Sequence, residues 1–185
     1  MIHHKGTNSI ETNRLFLRRF EDRDAEAMYN NWASDPEAVK FLPWGPHQNP
    51  EVTRKRVRDI IVRYENNNYY NWAICRKYNN IAIGSISVEL FNDLEQSCEV
   101  GYCLSREFWS RGIMTEALRA VMHYLFYEIS YQKIVARHDV LNIASGRVMQ
   151  KSGMSFEKLL YHVSRRRDGS DCDCAVYRKY IWEDA

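Results

Sequence analysis

The sequence has no run of 18 apolar residues, and its opening stretch Met1–Ser9 is polar, without the apolar segment of a secretory leader. Nothing in it reads as a bilayer span or an export signal. It also has little net charge. The 26 Lys and Arg against 24 Asp and Glu leave +2, too little for whole-protein attraction to nucleic acid or to a membrane surface. The one basic run, Arg165-Arg166-Arg167, is followed by Asp168, Asp171 and Asp173, so it reads as a solvated hairpin. Five cysteines make an odd, dispersed set, and neither Cys98/Cys103 nor Cys172-x-Cys174 has zinc-ligand spacing. Reduced thiols in a cytoplasmic protein are expected, with Cys172 and Cys174 packing on one face of a strand. His3-His4 is expected to sit in a flexible terminus over residues 1–9, and no metal site is expected. Internal repeats and low-complexity tracts are missing too, and with only one clear crossover and no G-x-G-x-x-G fingerprint the doubly wound dinucleotide fold is excluded.

What remains is an ordinary globular composition of 185 residues, enough for one domain over residues 10–185. Arg14–Phe20 has strand character, and Asp22 is a candidate cap for a helix marked by Ala25, Met28, Tyr29 and Trp32. Phe41–Pro46 holds two prolines, a glycine and two aromatics; it reads as a loop that either covers the core edge or shapes a substrate pocket. Asn49-Pro50 starts a helix with Thr53, Val57, Ile60, Ile61 and Tyr64 on its buried side. Tyr70–Arg76, Ile81–Leu90 and Cys98–Leu104 follow as antiparallel strands joined by Asn-rich turns. Met114, Ala117, Leu118, Val121 and Leu125 form one helical stripe. Lys133–His138 is the next strand, and a strand-helix-strand connection of this length predicts a parallel crossover. Asn142 caps a short helix Ile143–Lys151 that Gly153 ends. Met154–Val163 and Cys172–Trp182 close the chain. The expected fold class is α/β (α+β): a mixed, mostly antiparallel sheet of about seven strands with a central parallel pair and helices on both faces.

The turn Ser110-Arg111-Gly112-Ile113-Met114-Thr115 joins the strand Cys98–Leu104 to the Met114 helix. Such a turn aims unpaired backbone N–H groups at one point, with the positive end of the helix dipole behind them, and an anionic group such as phosphate suits it. Gly112 lets a ligand come close to the backbone.

The stretch Glu99-Val-Gly-Tyr…Ser110-Arg-Gly-Ile-Met-Thr-Glu-Ala117, followed by Asn142-x-x-Ser145…Lys151-Ser-Gly153, resembles the GNAT N-acetyltransferases. The opening Thr12–Phe20, with Asp24 and Asp35-Pro36 behind it, is similar to the Rim-type branch of ribosomal-protein N-terminal alanine acetyltransferases. The resemblance covers roughly Ile10–Tyr180. It implies acetyl-CoA as cofactor, its pyrophosphate on the amides of Ser110, Arg111, Gly112, Ile113, Met114 and Thr115. It also implies a pantetheine arm along Tyr102, Cys103 and Leu104, in a gap where that strand splays from the next. Asn142 matches the family's cofactor-contacting Asn, with Ser145 one helical turn on. Lys151 and Arg147 could meet the distal phosphate. Trp109 and Met114 depart from the family's Gln/Arg-x-x-Gly-x-Gly/Ala pattern, which leaves binding to the main chain. No Tyr lies in Asn142–Phe156 to serve as the general acid of many relatives.

The expected activity is direct acetyl transfer to a primary amine, either a protein N-terminus or a small molecule. Glu99 is the candidate base, with Glu89 the competitor, and a relay through water is also open. A backbone N–H in Tyr102–Leu104 would stabilise the oxyanion. Ser145 is the candidate donor to the leaving sulfur or a cofactor contact. Cys103 raises the idea of a covalent acyl-enzyme, but no His lies near it in sequence. A non-catalytic acyl-CoA-binding sensor and a nucleotide or phosphate binder that does not use CoA are the alternatives. The acceptor and the oligomeric state, a homodimer included, stay open.

Overall fold

The computed structural model describes residues 1–184. Side-chain caps start two of the four α-helices among the described residues. Asn49 is extended, and its side chain accepts a hydrogen bond from the Val52 N–H at 3.2 Å, with Pro50 in the first helical position. Asn142 does the same for the Ser145 N–H at 3.3 Å. Gly153 ends that helix at φ +86°, a left-handed conformation that glycine takes without strain. The helices are α1 (Asp24–Met28), α2 (Pro50–Arg63), α3 (Ile113–His123) and α4 (Ile143–Lys151).

The strands are β1 (Ile10–Glu11), β2 (Leu15–Arg18), β3 (Asn71–Arg76), β4 (Ala82–Asn92), β5 (Ser97–Leu104), β6 (Lys133–Asp139), β7 (Ser155–Arg165) and β8 (Asp171–Tyr180). They form one sheet in the order β1-β2-β3-β4-β5-β6-β8-β7. That is eight strands where about seven were expected. The addition, β1, is two residues long, too short to show alternation. Neighbours are antiparallel except β5 and β6, the parallel pair expected from the α3 crossover.

Side chains alternate between the two faces. Cys98, Val100, Tyr102 and Leu104 of β5 join the core under α3 and α4, together with Ala117, Leu118 and Val121. Burying a side chain such as Leu118 completely contributes about 1.5–3 kcal/mol. Cys103, on the opposite face, joins the second core with Ala25, Met28, Trp32, Val57 and Ile60 from the α1 and α2 layer. Leu42 and Trp44 pack against that second core, so the Phe41–Pro46 loop does cover the core edge.

Two expectations are corrected. Asp22 caps nothing. Asp24 instead folds back to accept from the Glu21 N–H at 2.8 Å and pairs two-pronged with Arg18 at 2.7 and 2.9 Å, both side chains buried. The terminus expected to be flexible is tied down. His4 Nδ1 lies 2.7 Å from the Tyr70 hydroxyl, buried Thr7 bridges Tyr69 O and the Asn71 N–H, and the Trp72 indole donates to Asn8 O at 2.7 Å.

Candidate active site

The parallel pair is short. Ser97, Cys98 and Glu99 stand opposite Lys133, Ile134 and Val135, and beyond them β5 and β6 part. Main-chain hydrogen-bonding direction alternates along a strand. Cys103 faces Ser85 and the Ser105 N–H donates to Ile83 O at 2.8 Å, so odd-numbered residues of β5 are tied to β4. Val100, Tyr102 and Leu104 therefore turn their amides towards the gap. On β6 the even-numbered residues serve β8, since Gln132 O and the Val140 N–H bond to Ile181 and Asp173. Arg137 and Asp139 are left to line the opposite wall. The gap thus offers an extended ligand unpaired main chain on both walls, although Asp139 O already accepts from the Asn142 N–H at 2.7 Å. Of the three residues expected to contact a pantetheine arm, Tyr102 and Leu104 face the gap and Cys103 does not. Leu104 O is already taken by the Trp109 indole at 2.9 Å, a role for Trp109 that sequence did not reveal.

At the mouth of the gap, Ser110 and Gly112 both have left-handed backbones, φ +60° and +72°. With Arg111 between them, the alternation makes a concave nest of N–H groups at the start of α3. Among the described residues, none of the N–H groups from Ser110 to Thr115 donates to a protein acceptor. The side chains of Ile113 and Met114 are buried, so these two residues can offer a ligand only their main chain. Behind the turn, Arg14 donates to Arg111 O at 2.9 Å and to Glu116 Oε2 at 2.6 Å, while Glu116 Oε1 also accepts from the Thr12 hydroxyl at 2.6 Å. Burial pushes the Glu116 carboxyl up, but the bonds from Thr12 and Arg14 outweigh it and hold it below the usual range. A groove of about 720 Å³ opens beside the turn, lined by Arg14, Gly112, Thr115, Arg119 and Lys151 among others. Arg119 donates to Lys151 O and so links α3 to α4. The cationic rim and the unsatisfied amides fit an extended ligand carrying phosphates.

Each face of the gap has its own chemistry. On the α4 side, the Tyr102 hydroxyl lies 3.0 Å from Ser145 Oγ and 3.1 Å from Ser145 O. Burial raises the Tyr102 hydroxyl's pKa well above its ordinary value, so it stays protonated and available as a donor. Sequence could not find this pair, because 43 residues separate the partners. On the α1 and α2 side sit Glu99 and Glu89. Glu99 pairs with Arg137 at 2.8 Å and keeps 19% of its side-chain exposure. Burial pushes its carboxyl up, the Arg137 guanidinium pulls the other way, and Glu89 adds a push upwards; the net shift is up. Glu89 sits in the irregular step of the β4–β5 register. It leans over Gly101, where a Cβ would come 3.0 Å from its Cγ.

Cys103 points into the α1 and α2 core, its thiol 3.7 Å from Ala38 O, and burial pushes its pKa up to about 12. A neutral thiol placed there is no nucleophile for an acyl-enzyme. The hairpin tip is solvated as expected, with residues 165 and 167–171 exposed, and only Arg166 is half-buried. Arg166 makes a two-pronged pair with buried Asp139 at 2.5 and 2.8 Å, and Arg167 reaches Val39 O and Lys40 O at 3.4 Å. The five cysteines are free and buried, and the Cys172 and Cys174 sulfurs lie 3.7 Å apart on one face of β8.

Comparison with known proteins adds an independent line. A family model described as an acetyltransferase (GNAT) domain matches residues 14–155. The uncharacterized N-acetyltransferase YoaA of Bacillus subtilis (strain 168) is 27% identical over 168 residues, 91% of this chain and 94% of YoaA. The ribosomal-protein-serine acetyltransferase of Escherichia coli (strain K12) is 27% identical over 134 residues, 72% of this chain and 73% of that protein. The crystal structure of a GNAT-family acetyltransferase from Bacillus anthracis superposes with a TM-score of 0.82 at 27% identity, covering 94% of this chain and 98% of that one.

Proposed function

The chain belongs to the GNAT acetyltransferase family, whose members use acetyl-CoA, and from that premise we propose that it transfers acetyl from acetyl-CoA directly to a primary amine, with a protein α-amino group as the favoured acceptor. The observation that carries the proposal is the set of unsatisfied amides at Ser110–Thr115, opening onto a gap whose walls present free main chain.

Acetyl-CoA supplies an activated thioester. Ser110, Arg111, Gly112, Ile113, Met114 and Thr115 would hold its pyrophosphate on their N–H groups. Tyr102 and Leu104 would pair with the pantetheine arm, and Lys151, with Arg119, would neutralise the distal phosphate. Glu99 would take the amine's proton, directly or through water, because burial moves its carboxyl towards the neutral range where a base works best. The gap-facing Tyr102 N–H would stabilise the developing oxyanion. Ser145, bonded to the Tyr102 hydroxyl, would donate to the leaving thiolate, and Asn142 would hold the first turn of α4 in place.

Two points favour an α-amino acceptor. At pH 7 an α-amino group, with a pKa near 8, is neutral roughly two hundred times more often than a lysine with a pKa near 10.4. The E. coli relative is named for a ribosomal-protein serine. Release of free thiol from acetyl-CoA, measured against peptides with free N-termini and against N-blocked lysine peptides, tests the proposal. Turnover on the free N-termini is expected. No turnover on any amine, with CoA still bound, would leave a non-catalytic acyl-CoA sensor in its place.

A further inference from the structure

A buried hydrogen-bond acceptor with nothing to accept lies between β6 and the first turn of α4, beside the strand that forms one wall of the gap. His138 stands on β6 three residues past Val135, where pairing with β5 stops. Its Nδ1 is 2.8 Å from Asp139 O. A carbonyl only accepts, so Nδ1 carries the proton, and in that tautomer Nε2 is the acceptor nitrogen. Nε2 is shielded from solvent and, among the described residues, has no hydrogen-bond partner. Buried acceptors are rarely left unmet in native proteins, and each one asks for an explanation.

The ring is fixed in place. Its centroid lies 5.7 Å from that of Tyr177. On the α4 side, a Cβ on Gly146 would come 2.7 Å from Nε2, so residue 146 is a glycine where the backbone must pass this close to the imidazole. Ala136, two residues earlier on β6, belongs to the core under α3 and α4, and alternation puts His138 on that face as well. Ser145, next to Gly146, reaches the Tyr102 hydroxyl. Tyr102 from β5 and His138 from β6 therefore flank the first turn of α4, one on each wall.

We propose that His138 is a binding residue for the donor's pantetheine arm: Nε2 accepts a hydrogen bond from an N–H or S–H of that arm once it lies between β5 and β6. This rests on the acetyl-CoA reading above. The amide N–H groups exist in both acetyl-CoA and CoA, whereas the S–H exists only in CoA, so the two sources can be separated.

Calorimetric titration of the full chain with acetyl-CoA, CoA and adenosine 3′,5′-bisphosphate, which lacks the arm, tests the assignment. His138→Leu removes the acceptor, and His138→Gln returns a carbonyl near the place of Nε2. His138→Leu is expected to weaken acetyl-CoA and CoA about tenfold, to leave the bisphosphate unchanged, and to be largely rescued by His138→Gln. Weakening of CoA alone assigns the contact to the thiol. His138→Asn, polar but too short to reach, serves as the second deletion should His138→Leu not fold, with the same expectation. Wild-type affinity for both coenzyme forms in the deletion variant overturns the inference. Equal loss of the bisphosphate overturns it too, since that marks a general structural effect. A wild-type chain that binds neither coenzyme form overturns the donor reading and this inference with it.

Discussion

Replacing Gly112 by alanine separates two quantities that the turn combines. A Cβ at this position would meet only Arg14 Nη2, at 3.5 Å, an ordinary contact. Crowding therefore contributes nothing. The cost is conformational, because φ is +72° and an L side chain there costs about 1–2 kcal/mol. For a chain of this length that is a fall in melting temperature of roughly 2–4 °C per kcal/mol. Affinity should fall further. An alanine that relaxes towards negative φ turns at least one N–H away from the diphosphate, and a hydrogen bond to a charged group contributes about 1.5–3 kcal/mol. CoA should bind on the order of 10 to 150 times more weakly. Gly112→Asn is the internal control: asparagine tolerates the left-handed region, so it should recover most of the affinity. Calorimetry with CoA, run beside thermal melting, reads both numbers. If Gly112→Ala melts a few degrees lower yet binds CoA like the wild type, the amides of this turn do not hold the coenzyme.

Other outcomes follow from the two carboxylates with defined partners. Glu99 has a raised pKa and must be unprotonated to accept a proton, so kcat/KM should fall as pH drops through that raised value. Glu99→Gln should remove this limb and lower kcat/KM by about 10²–10⁴-fold; an unchanged profile rules Glu99 out as base and leaves Glu89. Asp24→Asn breaks a buried two-pronged pair with Arg18 and should cost about 3–5 kcal/mol in urea unfolding, whereas a cost under about 1 kcal/mol would mean the pair is solvent-relaxed.

Much of the chain was legible because its instructions are local. The caps at Asn49 and Asn142 act over three residues, and the helical stripe from Met114 to Val121 repeats within a few turns, so each can be read from a short window. The expectations that missed depend on contacts across many residues. His4 and Thr7 look like a loose polar tail until Tyr70, Tyr69 and Asn71 are brought against them from more than 60 positions away. Asp22 and Asp24 are equally good caps on paper, and only the buried Arg18 distinguishes them. The family resemblance sets Cys103 beside the pantetheine arm together with Tyr102 and Leu104, as one stretch of strand. Which of the three faces the gap depends on which neighbouring strand each bonds to, and that is a property of the sheet. Tyr102–Ser145, Glu99–Arg137 and the clamp on His138 join different elements for the same reason.

The parting of β5 from β6 leaves a slit through a wall. If the thioester is threaded through it from the α4 side, an amine arriving from the Glu99 side meets only the carbonyl, never the nucleotide. Neither molecule then has to leave before the other docks, and no sulfur of the chain needs to carry the acetyl group between them. Initial-rate plots against both reactants should accordingly intersect instead of running parallel, and the sheet would serve as a partition that keeps water and donor apart until an acceptor fills the far side.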